Sequence, residues 1–131
     1  MLITTSLYAS LLAILIIYLC LNVVKFRRVK KVGLGDNGDT TGQKAIRAHA
    51  NAVEYIPMLL ILMAIYEINY GSNLMLHLLG ATSLIARILH AIGLSKSGGV
   101  SFGRFYGTAL TWLVILILAG MNLIKYASQI I

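Results

Sequence analysis

The sequence predicts an all-α integral membrane protein, a bundle of four membrane-crossing helices, on three observations. Hydrophobic residues make up 59% of the 131 residues. Charged residues make up only 11%, against roughly 25% in an ordinary soluble domain. Four apolar runs each approach the ~20 residues needed to cross a bilayer core. A mean hydropathy of +0.85 agrees. A soluble fold of this size could not cover so much apolar surface, so lipid must be part of its solvent. We read 1–131 as one four-helix membrane domain.

The first span, 7–24, runs into the basic cluster Lys25, Arg27, Arg28, Lys30 and Lys31, five of the eleven Lys and Arg residues. No basic region precedes this apolar run, the reverse of a secretory signal peptide, so it is expected to be retained as a span. Cys20 is the only cysteine. That excludes an intrachain disulfide and a cysteine metal cluster, and Cys20 reads as a small packing residue. A long polar loop, 25–44, leads to the second span, 45–68, whose polar residues are expected only in its first half. A tight turn, 69–73, precedes the third span, 74–94, with His77 near its start and Arg87 and His90 near its end. A glycine-rich connection, 95–104, leads to the fourth, 105–124, where 109–119 contains no ionisable residue.

The basic residues are unequally shared between the two ends of such a bundle. The first loop holds the basic cluster and Lys44, and the third holds Lys96 and Arg104. The N-terminal segment and the second turn hold no Lys or Arg, and the C-terminal end holds Lys125 alone. The positive-inside rule therefore predicts cytoplasmic first and third loops and both termini outside. The formal charge of +7 does not argue for nucleic acid, because much of it sits beside a span, where it meets anionic lipid headgroups.

Within the second span, Arg47, Asn51 and Glu54 follow i, i+4, i+7 spacing and share one helix face. Polar groups at this depth are costly in hydrocarbon and turn toward the bundle interior or a wet cavity. They could serve only as helix-bridging ion pair and hydrogen-bond partners. They could also hold a ligand: Arg47 pairing with carboxylate, Glu54 with ammonium, Asn51 donating and accepting. Tyr55 lies one step off this face, and Pro57 removes a backbone donor just beyond it. The predicted topology brings Arg87, His90, Arg104 and the end of the first span at Arg28 to the same membrane face. Nearly every ionisable residue within or beside a span is then expected to converge on one basic, inward-facing site for a small anionic solute. His77 falls near the other face and reads as structural.

Other patterns carry less. Gly33-Leu34-Gly35-Asp36-Asn37-Gly38 spells G-x-G-x-x-G, but no strand precedes it and no helix opens on it. Asp36, Asn37 and Asp39 lack calcium-loop spacing. His49, His77 and His90 fall in different spans or without paired ligands, so no metal site is expected.

The run Arg47-x-x-x-Asn51-x-x-Glu54-Tyr55-x-Pro57 in the second of four spans resembles the membrane-associated proteins in eicosanoid and glutathione metabolism, the MAPEG family. The resemblance covers essentially the whole chain, with the basic first loop and an Ala86-Arg87 step followed by Gly93. Gly35-Asp36-Asn37-Gly38-Asp39 and Ala45-Ile46-Arg47-Ala48-His49 are similar to the small bacterial branch resembling microsomal glutathione transferase. The resemblance implies a homotrimer in a bacterial inner membrane, with glutathione bound between subunits. It implies glutathione binding by Arg47, Asn51, Glu54 and Tyr55, to which His90 and Arg28 are added from their place at the same face. Arg104, then Arg87, are the candidates to hold the glutathione thiol as thiolate for attack on an apolar electrophile or lipid hydroperoxide, a detoxifying chemistry. The family's eicosanoid synthases carry tyrosines late in the third span where this chain has His90 and Leu94, which argues against a leukotriene- or prostaglandin-specific role. A non-catalytic membrane binder or adaptor of the same fold is the alternative. A small proton-coupled exporter would be expected to have short loops throughout and its carboxylate in the first span, whereas this chain has the long loop 25–44 and Glu54 in the second span.

Overall fold

The computed structural model describes residues 1–130. Four helices follow one another: α1 (Ile3–Lys30), α2 (Thr40–Tyr70), α3 (Leu74–Lys96) and α4 (Phe102–Ile130). Each is long and apolar enough to cross a membrane, and no strand occurs among the described residues. The spans expected from the sequence lie inside these helices, which run beyond them at one or both ends. With them stands the coarse result, a multi-pass all-α membrane protein.

Local chemistry fixes the ends. Lys31 closes α1 in the left-handed region, φ 56°, and Gly35 and Gly38 take the positive φ that the following loop requires. Asp39 caps α2: its carboxylate accepts from the Thr41 amide at 2.8 Å and the Gly42 amide at 3.3 Å. The same carboxylate meets Lys30 Nζ at 2.9 Å, tying the end of α1 to the start of α2. The Lys30 ammonium first, and then the two amides, hold the Asp39 carboxyl down from 3.8 to about 2. Asn73 caps α3 by accepting from the Leu76 amide at 2.9 Å. Pro57 lies on an exposed side of α2, which continues through it to Tyr70.

The middle helices α2 and α3 touch each other and both outer helices, whereas α1 and α4 do not meet. Leu12 of α1, Ile56, Leu59 and Met63 of α2, Leu76 of α3, and Val114 and Leu118 of α4 form the centre of the apolar core. Along α4, Gly103 and Gly107 let two backbones touch. A Cβ on Gly107 would stand 2.6 Å from the Ala86 carbonyl oxygen, and one on Gly103 would stand 2.5 Å from that of Leu89. Small residues permit such close approach in lipid, where helices associate by packing rather than by expelling water.

At the end of the bundle that carries both termini, Glu67 is buried, 3% exposed. Its two oxygens accept from the Thr4 amide at 2.9 Å and the Thr5 amide at 2.7 Å. Thr4 also joins Ser72 and His77 through its hydroxyl, and the Tyr8 hydroxyl donates to the His77 carbonyl at 2.9 Å. This corrects one expectation, since polar residues are not confined to the first half of the second span, and Glu67 joins His77 as an exception to the gathering of ionisable side chains at the other end. The physical reason is that the first amides of a helix lack partners and carry positive dipole charge, so they satisfy a carboxylate without a counter-ion.

Candidate functional site

Asn51 and Arg87 join α2 to α3 at the basic end of the bundle, where the α1–α2 and α3–α4 connections lie. Arg87 Nη2 donates to Asn51 Oδ1 at 2.7 Å and stands 3.4 Å from His90 Nδ1. The Arg87 guanidinium carbon lies 5.6 Å from the centre of the Tyr55 ring, a cation–π distance. Arg87 is only 2% exposed, and its Nε and Nη1 find no partner among the described residues. A buried cation with idle donors is costly, and an arriving anion would offset that cost.

Beside this pair opens a cavity of about 280 Å³. Gln43, Lys44, Arg47 and Asn51 of α2 form one wall, His90 and Leu94 of α3 another, and Gly98 with Arg104 close it. Arg104 Nη1 donates to the carbonyls of Gly98 and Gly99 at 3.0 and 3.2 Å, which pins the side chain across the α3–α4 connection. Its backbone is fixed as well: a Cβ on Gly93 would stand 2.5 Å from the Arg104 amide nitrogen. A second hollow, about 590 Å³, lies along α4 between Val100, Phe105, Ala109 and Trp112. Gly98 and Arg104 line both hollows. A polar chamber and an apolar one therefore share an arginine.

Of the residues singled out from sequence, Arg47, Asn51, His90 and Arg104 line one cavity, with Arg87 and Tyr55 packed behind Asn51. Glu54 sits apart on the exposed side of α2, its carboxylate 3.9 Å from Arg47 Nη1. Both side chains are more than half exposed, 59% for Arg47 and 53% for Glu54, so this contact is weak. Arg28 does not reach the cavity and lines a separate hollow at the end of α1 with Arg27 and Lys31. Gln43 and Lys44 were not foreseen as lining residues. A signal existed, since Gln43, Arg47 and Asn51 recur at i, i+4, i+8.

The MAPEG family model matches residues 5–124 of the chain. Among curated proteins, the Inner membrane protein YecN of Escherichia coli strain K12 is 36% identical over 119 residues, 91% of this chain and 89% of that one. The protein of the same name from Escherichia coli O6:H1 gives the same figures.

Proposed function

The chain belongs to the MAPEG family, and from that premise we propose that it is a membrane-bound glutathione transferase with peroxidase capacity. The observation that carries this reading is the shared arginine: Arg104 lines both the polar cavity and the apolar hollow. Glutathione offers two carboxylates, one ammonium and one thiol. Lys44, Arg47 and the buried Arg87 supply cations for the carboxylates, Asn51 and Gln43 supply amides, and Glu54 is the carboxylate available for the ammonium. The room between Arg47 and Arg104 supports occupancy by a solute, and the long Arg47–Glu54 contact leaves both groups free to rearrange.

Arg104 favours the thiolate, because a thiol of pKa about 8.5 is mostly protonated at neutral pH and a neighbouring cation lowers that value. The proton leaves to water, and the sulfur lone pair attacks an electrophilic carbon held against Phe105, Ala109 and Trp112. With an aryl chloride, the carbon–sulfur bond forms and chloride departs. With a lipid hydroperoxide, sulfur takes the terminal oxygen to give an alcohol and a sulfenic acid. A second glutathione then yields the disulfide and water. The reading includes a homotrimer in which a neighbouring chain meets the exposed Arg47 and Glu54. It also places the protein in the inner membrane, with the polar cavity open to the cytoplasm.

Conjugation of glutathione to a chlorinated nitrobenzene by the purified protein tests this. Arg104→Ala is expected to cut turnover about a hundredfold, the scale for losing one group that stabilises developing anionic charge. One observation favours the alternative of a non-catalytic binder: Arg104 already donates to two loop carbonyls. Tight glutathione binding with no conjugation by the unaltered protein would select that alternative.

A further inference from the structure

A groove that shares only Lys44 with the glutathione cavity runs between α1 and the faces of α2 and α3. It consists of two hollows, about 460 and 390 Å³, that share Tyr18, Leu19, Asn22 and Ser95. Its lining changes character along its length. Leu15, Leu19, Ile88 and Ile92 are hydrocarbon. Asn22 and Ser95 follow one to two helical turns nearer the basic end, at i+3 or i+7 from these positions. Beyond them stand Lys25 and Lys44 on one side and Lys96 on the other. Lys30 also borders the groove but is paired with Asp39, and Lys44 belongs as well to the glutathione cavity. That leaves Lys25 and Lys96 to this groove alone, without an acidic partner among the described residues.

Asn22 adds an independent observation. Its amide makes no hydrogen bond among the described residues, although it lies within an apolar helix at partial burial. An amide at that depth is costly unless something accepts from it. The Ser95 hydroxyl, by contrast, is spent on the Ala91 carbonyl at 2.7 Å. The groove thus offers apolar walls, then one free amide donor, then the two free ammonium groups of Lys25 and Lys96.

We propose that this groove is a binding site for one anionic glycerophospholipid of the surrounding bilayer. Its acyl chain lies along Leu15, Leu19, Ile88 and Ile92, an ester carbonyl accepts from Asn22, and its phosphate sits between Lys25 and Lys96. Charge decides the class of lipid: a zwitterionic headgroup brings its own cation, which Lys25 and Lys96 repel, whereas a phosphatidylglycerol headgroup carries a net negative charge.

The test is native mass spectrometry of the full chain released from micelles holding equal amounts of phosphatidylglycerol and phosphatidylcholine. The unaltered protein is expected to retain phosphatidylglycerol preferentially, about one per chain. The double variant Lys25→Gln, Lys96→Gln changes no residue of the glutathione cavity. It is expected to lose about fivefold in retention for each lysine removed, and Asn22→Leu should weaken retention without altering charge. Lys31→Gln, a basic residue outside the groove, controls for general electrostatics and should leave retention unchanged. Equal retention of the two lipids, or equal effects of Lys31→Gln and Lys25→Gln, overturns the proposal. So would chain-to-chain cross-links from a photoreactive residue at Ile92, which would show a second copy in the groove. None of these outcomes depends on glutathione binding, so the two readings fail separately.

Discussion

Replacing Glu67 with alanine would strip the acceptor from two amides at the start of α1, at a site that water does not reach. Each buried donor left unpaired costs ~1–3 kcal/mol, so Glu67→Ala should lower stability by about 2 kcal/mol or more. Thermal unfolding in detergent measures this, and an unchanged midpoint would remove the capping role. Glu67→Gln keeps one acceptor and should fall between the two. At this scale the sequence was legible in part. Arg47, Asn51, His90 and Arg104 could be assembled from spacing and topology because each marks an apolar helix with an obvious exception. Glu67 could not, since its partners are backbone amides 62 and 63 residues away, which no side-chain pattern announces. Spacing put Glu54 on one face with Arg47 and Asn51, but whether a position on that face meets the bundle or its surroundings depends on packing. Glu54 lies exposed, while Asn51 lines the cavity.

Between elements, the junction of α1 and α2 is an electrostatic one. The Asp39 carboxyl titrates at about 2 in the fold against an ordinary 3.8, so the charged form is the one the fold favours. Its contribution is complete above the ordinary value and is lost as pH falls from about 4 toward 2. Amide exchange at Thr41 and Gly42 should therefore accelerate over that window in the native chain. It should be flat with pH, beyond its intrinsic dependence, in Asp39→Asn; the same acceleration in both proteins would contradict the assignment. The helices themselves could be read from hydropathy, whereas their true ends could not. The ends rest on Asp39, Lys31 and Asn73, which act through a few cap hydrogen bonds and one left-handed residue. The tight seam between α3 and α4 was equally hidden, because Gly93, Gly103 and Gly107 look like loop or flexible positions until two backbones are seen to touch.

For the whole molecule, the unequal sharing of Lys and Arg between the two ends predicts its setting in the membrane. A C-terminal alkaline phosphatase fusion in a bacterial host should be active, because that enzyme matures only outside the cytoplasm, and a fluorescent protein fused there through the general export route should stay dark. The opposite pair of results would invert the orientation and turn the polar cavity away from cytosolic glutathione. The four-span architecture was fully visible in composition. What hydropathy could not convey is the order of the helices, with α2 and α3 central and α1 and α4 apart.

The grip of Glu67 on the first turn of α1 has a consequence for biogenesis. When α1 leaves the insertion machinery its leading amides are bare, and their acceptor arrives only after nearly all of α2 has been synthesised and threaded. Nascent chains halted before Glu67 should thus be poorly anchored and open to membrane proteases, while those halted soon after it should persist.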